Sequence, residues 1–262
     1  MTSISTNAAG LAADDDAATV DGGARDAGPS VTVVIPALNE ADNLGHVVPQ
    51  IAAAYEVVVV DGGSTDDTVG VARRLRPDVQ IVHQDGRGKG NALACGFAVA
   101  TGEIVVTLDA DGSTRPDEIA RFVEVLQCGA DFAKGSRCLP GGGSADFSLL
   151  RRAGNWFFST LVNALYGTRY TDLCYGYNAF WRSCLSQLAV DCDGFEVETL
   201  INIRACKADL VVVEVPSFEE KRIAGKSKLS VLRDGFRVLR TILHERFIRS
   251  EPAGEAGAVP TI

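Results

Sequence analysis

The seven cysteines, Cys95, Cys128, Cys138, Cys174, Cys184, Cys192 and Cys206, contain no C-x-x-C pair. An odd number scattered through apolar segments argues against a disulfide framework or a zinc site and for reduced, buried packing residues. Long hydrophobic runs are also missing. The nearest, "NWFFSTLVNALYG" at 155–167, is broken by polar residues, whereas a spanning helix needs roughly 18 or more apolar residues in a row. The chain does not open on a basic segment followed by an apolar core, so no secretory signal is expected; a cytoplasmic protein follows, with membrane contact at most peripheral. Positive charge is in deficit: 25 Lys and Arg against 34 Asp and Glu give a net charge of −9 and a pI near 4.9. A general nucleic-acid binder would need a broad basic surface, so that class is set aside. No motif repeats at a fixed period.

What is present is a regular alternation. At 262 residues the expectation is one main domain with appendages. Residues 1–29 and 250–262 have too few large apolar side chains to offset the entropy of ordering and are read as disordered tails. Between them, 30–249 form the domain, ending in an amphipathic helix. Short Val/Ile-rich runs, "VTVVIP", "EVVVVD", "VQIVH" and "EIVVTLD", alternate with helical patterns starting near Ala41, after Ser64, near Gly88 and near Pro116, and "ADFAKGS" follows the last of these. Continuous apolar strands separated by helices predict a mostly parallel sheet, buried on both faces, in a doubly wound α/β core.

Open parallel sheets bind ligands beyond the carboxyl ends of their strands. Three of these ends are acidic and turn-rich: "PALNE", "DGGSTDDT" and "DADGS". Ser64 and Asp66 are read as caps of the following helix, whereas Asp61, Asp109 and Asp111 arrive directly at the sheet edge. Asp109 and Asp111 are two apart and converge on one face if the extended geometry continues through Ala110. Paired carboxylates with open positions suit Mg²⁺ or Mn²⁺ completing its shell with water and a substrate diphosphate. "GRGKGNA" at 86–92 lacks the spacing of a phosphate loop. Gly88 and Gly90 either shape a helix start, with Lys89 an exposed cation, or bring Lys89 to a phosphate.

The motifs "VVIPALNE", "VVVVDGGSTDDT", "GRGKGNALACGFAVATGEIVVTLDADGS", "AKGSR", "YTDLCYGYNAFWR" and "EVPSFEEKRIAGKSKLS" stand in this order over about Val31 to Arg246. Together they resemble a family 2 glycosyltransferase of GT-A fold, nearest to the dolichol-phosphate and polyprenol-phosphate mannose synthases. The resemblance implies that Pro36, Leu38 and Glu40 flank the nucleotide's base and ribose, and that Asp61 reads the base edge. It implies that Asp109 and Asp111 hold a metal and the diphosphate, with Ala110 against the nucleotide and Ser113 at a position that joins the metal shell. Arg137, Arg222 and Lys228 match cations that meet the diphosphate or the acceptor phosphate. Leu38 in place of an aromatic, and Gly62 in place of a second acid, leave both GDP-mannose and a UDP-sugar as donor.

The implied activity is metal-dependent, inverting transfer of a hexose to a polyprenol phosphate. A soluble transferase with a hydroxyl acceptor is the second reading, and a catalytically silent nucleotide-sugar binding module the third. Asp111 and Arg222 carry the expected catalysis, and a hydroxyl acceptor would add Asp172 as base, unless that acid only fixes its turn. The loop "KRIAGKSKLS" is expected to be mobile when empty and to close over the donor and acceptor phosphates about Gly225. The segment 147–167 and the helix "VLRDGFRVLRTILHERF" combine apolar stripes with arginines; either they pack on the core or they lie in a membrane interface.

Overall fold

The computed structural model describes residues 28–225 and 229–248. The two expected tails lie outside the described residues except for Gly28 and Pro29, and Lys226 and Lys228 lie outside them too. The first half of the domain is a βα alternation. It runs β1 (Val31–Ala37), α1 (Ala41–Val47), β2 (Glu56–Asp61), α2 (Thr68–Leu75), β3 (Gln80–His83), α3 (Gly88–Val99), β4 (Ile104–Thr107), α4 (Ile119–Gln127) and β5 (Phe132–Ser136). A two-residue strand β6 (Gly143–Ser144) and the long helix α5 (Leu149–Tyr166) follow. The chain then forms β7 (Asn178–Trp181), α6 (Leu185–Leu188), α7 (Val197–Lys207), β8 (Val212–Pro216), β9 (Phe218–Glu219) and α8 (Val231–Phe247).

Seven strands form one sheet in the order β3-β2-β1-β4-β7-β5-β8, and β6 pairs with β9 apart from it. Pairing is parallel except that β7 runs antiparallel to both β4 and β5. The mostly parallel sheet is the expected one, with β7 inserted against its direction. Because β-branched side chains alternate faces, the sheet has two apolar layers. Val33, Ile35, Val57 and Val59 pack with Leu44 of α1 and Phe122 of α4 on one side. Val34, Val58, Val105, Phe132 and Phe180 meet Phe97 of α3 and Ile201 of α7 on the other. A third cluster joins α5, α7 and α8 through Val162, Ile203, Val238 and Ile242. The expected burial of the cysteines holds for Cys184 alone; Cys128, Cys138 and Cys174 are exposed, and all seven are free thiols.

Two details position the site. Strand order reverses between β1 and β4, so the loops after these strands part and leave a crevice at their carboxyl ends. In the register of β1 with β2, Ala37 stands opposite Asp61, which brings "PALNE" and "DGGST" side by side. No helix among the described residues is long and apolar enough to cross a membrane.

Candidate functional site

The carboxyl ends of β1, β2 and β4 bring the acids together. Asp61 is 5% exposed and closes its own turn, accepting the Ser64 N–H at 3.0 Å, with His83 Nδ1 3.4 Å from its second oxygen. Asp66 accepts the N–H groups of Thr68 and Ala41, and Ser64 accepts that of Asn39. These two side chains therefore tie the first two βα loops to each other.

β4 ends at Thr107, and Ala110 and Asp111 lie in a turn, so the extended geometry expected through Ala110 does not persist. Gly112 makes the turn with φ 78°, a conformation that costs glycine little. A Cβ there would come within 2.4 Å of the Ile223 side chain. The two carboxylates still sense each other: burial and the Asp109 charge raise the pKa of Asp111, against the opposing Ser113 hydrogen bond and the Arg222 charge.

Each acid has its own cation. Lys89 Nζ lies 2.6 Å from Asp109 and 2.7 Å from Glu198, and Arg222 lies 2.9 Å from Asp111 and 3.0 Å from Glu40. Burial alone would pull the Lys89 ammonium down, but Asp109 and Glu198 outweigh it and raise the pKa. Glu198 is raised by its burial and by Asp109, with Lys89 opposing. Gly176 closes the back of this triad, where a Cβ would stand 2.5 Å from Lys89 Nζ and 2.9 Å from Glu198.

The structure gives "GRGKGNA" a packing role, and Lys89 is not the exposed cation of the first reading. Gly88 and Gly90 let α3 approach the 192–194 segment, since a Cβ on either would lie 2.1 or 2.2 Å from a backbone carbonyl. Lys89 is a largely buried bridge between Asp109 and Glu198. Glu198 went unrecognised in the sequence. Its only signal is a cluster of polar residues in α7, a helix whose N-terminal half is buried on every side.

The described part of the loop after β9 is hydrogen-bonded to the acidic turn and to α1. Ile223 N–H donates to the Asp111 carbonyl at 3.1 Å and Glu220 N–H to the Ser113 carbonyl at 2.8 Å. Asn43 exchanges two hydrogen bonds with the backbone of Ala224 and also donates to Glu40. Gly225 has φ 80°, and Lys228 lies beyond the described residues. Ser113 donates its backbone N–H to Asp111 at 2.9 Å. Pro36, next to last in β1, is half-buried, Leu38 is 37% exposed at the crevice, and Ala110 is buried.

Arg137 directly follows the carboxyl end of β5 and pairs with Asp172. The Arg137 guanidinium donates to both Asp172 oxygens, at 2.7 and 3.0 Å, and to Glu219 at 3.1 Å. It is sandwiched between Phe147 and Tyr175, with ring centroids 4.2 and 4.7 Å away. Asp172 is fully buried and also accepts the Arg137 backbone N–H. Burial would raise its pKa, but Arg137 prevails and holds it below the ordinary value. A buried carboxylate of low basicity, saturated by an arginine, does not fit the general base expected there; the geometry makes it the anchor of Arg137.

Asp109 and Asp111 are the residues that could hold an ion at the crevice. No group of three or more His, Cys, Asp or Glu among the described residues could hold a metal by itself. Two carboxylates at a crevice suit an ion that takes its remaining ligands from water and a diphosphate, so the donor set fits Mg²⁺ or Mn²⁺.

A GT-A sheet with an acidic pair at its switch point defines a glycosyltransferase scaffold, and comparison with known proteins agrees. The sequence matches glycosyl transferase family 2 over residues 32–188. It is 34% identical over 212 residues to the polyprenol monophosphomannose synthase of Mycolicibacterium smegmatis, covering 76% of this chain and 80% of that one. It is 30% identical over 213 residues to the undecaprenyl-phosphate mannosyltransferase of Micrococcus luteus, covering 76% and 87%. Among solved structures it superposes on glucosyl-3-phosphoglycerate synthase from Mycobacterium tuberculosis, crystallised with Mn²⁺, UDP and phosphoglyceric acid. That match has a TM-score of 0.67 at 24% identity and covers 85% and 80% of the two chains, a likeness of fold. The chain belongs to glycosyl transferase family 2 and is a glycosyltransferase.

Proposed function

We propose that this chain transfers a hexose from a nucleoside-diphosphate sugar, GDP-mannose or a UDP-sugar, to a polyprenol phosphate, with inversion and with Mg²⁺ or Mn²⁺. The observation that carries the reading is the pair Asp109 and Asp111 at the β1–β4 crevice, flanked by Lys89 and Arg222. The names of the two bacterial relatives support the lipid acceptor. Asp172 supports it too: a hydroxyl acceptor needs a base, an ionised phosphate does not, and Asp172 is committed to Arg137. The reaction belongs at the cytoplasmic face of a membrane, with the protein peripheral to it.

In this mechanism an acceptor phosphate oxygen attacks the anomeric carbon from the face opposite the diphosphate. The new C–O bond forms as the bond to the leaving diphosphate breaks, its electron pair going to the diphosphate. Pro36, Leu38, Glu40 and Asp61 hold the nucleoside, with Ala110 beneath it, and Asp61 selects the base. Asp109 and Asp111 would hold the ion, with the Ser113 N–H fixing Asp111, and the ion would supply Lewis-acid neutralisation of the diphosphate. Arg222 exchanges its bonds to Glu40 and Asp111 for the departing phosphates, where charge builds most. Lys228 is assigned to the same phosphates.

Calorimetry of GDP and UDP binding, with Mn²⁺ and with excess chelator, tests the site. Without the ion, the acids and the diphosphate face each other as like charges, so the reading expects a large loss of affinity in chelator. Equal affinity with and without Mn²⁺ removes the metal role.

A further inference from the structure

Lys89 and Glu198 are largely buried charges to which the transfer mechanism gives no task. Lys89 sits in the first turn of α3, and that turn is pinned. Gly90 N–H donates to the Asp193 carbonyl at 2.9 Å, the Gln84 amide donates to the Gly88 carbonyl at 2.9 Å, and neither glycine has room for a Cβ. The Lys89 side chain is 12% exposed and ends 2.6 Å from Asp109 and 2.7 Å from Glu198, whose own side chain is 6% exposed. Arg222, the other cation at the crevice, is placed differently. It lies on the loop after β9, and in the proposed mechanism it leaves Asp111 for the phosphates. Lys89 has no such freedom, so its charge stays beside Asp109 whether or not an ion is present.

The consequence is electrostatic. A lysine held against Asp109 alone would cancel that acid and repel a divalent cation, an effect that is strong at the reduced dielectric of a partly buried site. Glu198 offsets it by sharing the ammonium. The crevice then sets four carboxylates, Asp109, Asp111, Glu40 and Glu198, against the two cations Lys89 and Arg222, and the two negative charges in excess match one divalent ion. Glu198 does not join the pair as a third ligand, because no group of three such side chains among the described residues is placed to hold an ion. We propose that Glu198 is a positioning residue that acts through Lys89, offsetting a cation that the fold cannot withdraw so that Asp109 and Asp111 together still attract Mg²⁺ or Mn²⁺, a role that rests on the metal reading of those two acids.

The test is retention of Mn²⁺ alone by the full chain, read at fixed pH from loss of the free-ion electron paramagnetic resonance signal. No nucleotide is present, so only the protein's own charges act. Glu198→Gln keeps the shape and removes the charge, and Mn²⁺ affinity should fall at least about ten-fold. Lys89→Met should raise it by a similar factor. Lys89→Met/Glu198→Gln restores the original excess of charge and should return to within about three-fold of wild type. A merely structural role predicts instead that both single changes weaken binding and that the double variant is no better. Lys89→Met strands Glu198 as a buried unpaired charge and costs stability; where its melting profile is lost, the comparison of Glu198→Gln with the double variant decides. Equal retention by wild type and Glu198→Gln overturns the proposal, as does a double variant as weak as Glu198→Gln. Wild type that retains no Mn²⁺ overturns it too, while calorimetry with GDP and UDP decides separately whether the ion enters with the nucleotide.

Discussion

Replacing Arg137 by Leu should unfold the protein far more readily than removing a surface charge would. The guanidinium makes three charge-assisted hydrogen bonds to Asp172 and Glu219, and the Arg137 and Asp172 side chains are only 2% and 0% exposed. Glu219 keeps Arg151 and Ser144 as partners, but Asp172 would retain only the backbone N–H of residue 137 and the field of Lys134. Breaking a buried pair on one side costs about 3–5 kcal/mol, which for a domain of this size is roughly 6–20 °C of melting temperature. The sign with pH follows. Arg137 holds the Asp172 pKa below its unfolded value, so the pair stabilises fully above that value and its contribution is lost as pH falls through the depressed folded pKa. In Arg137→Leu the buried carboxyl takes up a proton more readily, so the deficit against wild type should be large at neutral pH and shrink towards pH 4. Arg137→Leu/Asp172→Leu, with no charge left to bury, should recover much of the loss. The assay is thermal and urea unfolding of the four proteins of the cycle across pH. A single-variant cost below about 1 kcal/mol, or a double variant no better than the single, would refute the reasoning and free Arg137 for a phosphate.

Gly90→Ala should destabilise by about 1–3 kcal/mol in urea unfolding, because its Cβ would stand 2.2 Å from the Cys192 carbonyl; unchanged stability would mean the 192–194 segment yields freely. Asp61→Ala should raise the donor KM more than it lowers kcat, since base recognition acts alike in ground and transition states. Asp111→Ala should chiefly depress kcat, and indistinguishable profiles in steady-state kinetics would undo this division of labour.

The strands were legible because "VVVV" at 57–60 and "IVVT" at 104–107 are unbroken β-branched runs that suit a sheet buried on both faces. The antiparallel β7 was not: "NAFW" is four residues long, too short for periodicity to speak, and its direction depends on where the chain re-enters the sheet. The acids at 61, 109 and 111 could be read because Asp61 ends β2 and Asp109 and Asp111 fall within four residues of the end of β4. Glu198 could not, because it reaches the site from a helix far along the chain and its partner, Lys89, resembles any exposed lysine in sequence. Arg137 and Asp172 were each read as ligand or base because a buried ion pair and a phosphate contact use the same residue types; only their mutual distance separates the two roles. For α5 and α8, a helical apolar stripe is the same pattern whether it faces a core or a bilayer, and only exposure distinguishes them.

The account turns on the acceptor. Incubating the protein and Mn²⁺ with radiolabelled GDP-mannose, UDP-glucose or another UDP-sugar, with and without polyprenol phosphate, and extracting with organic solvent tests it most directly. Label from at least one donor should enter the organic phase only when polyprenol phosphate is present, and Asp111→Ala should abolish that transfer. Label that stays in the aqueous phase as a glycosylated water-soluble acceptor, with none extracted, would contradict it.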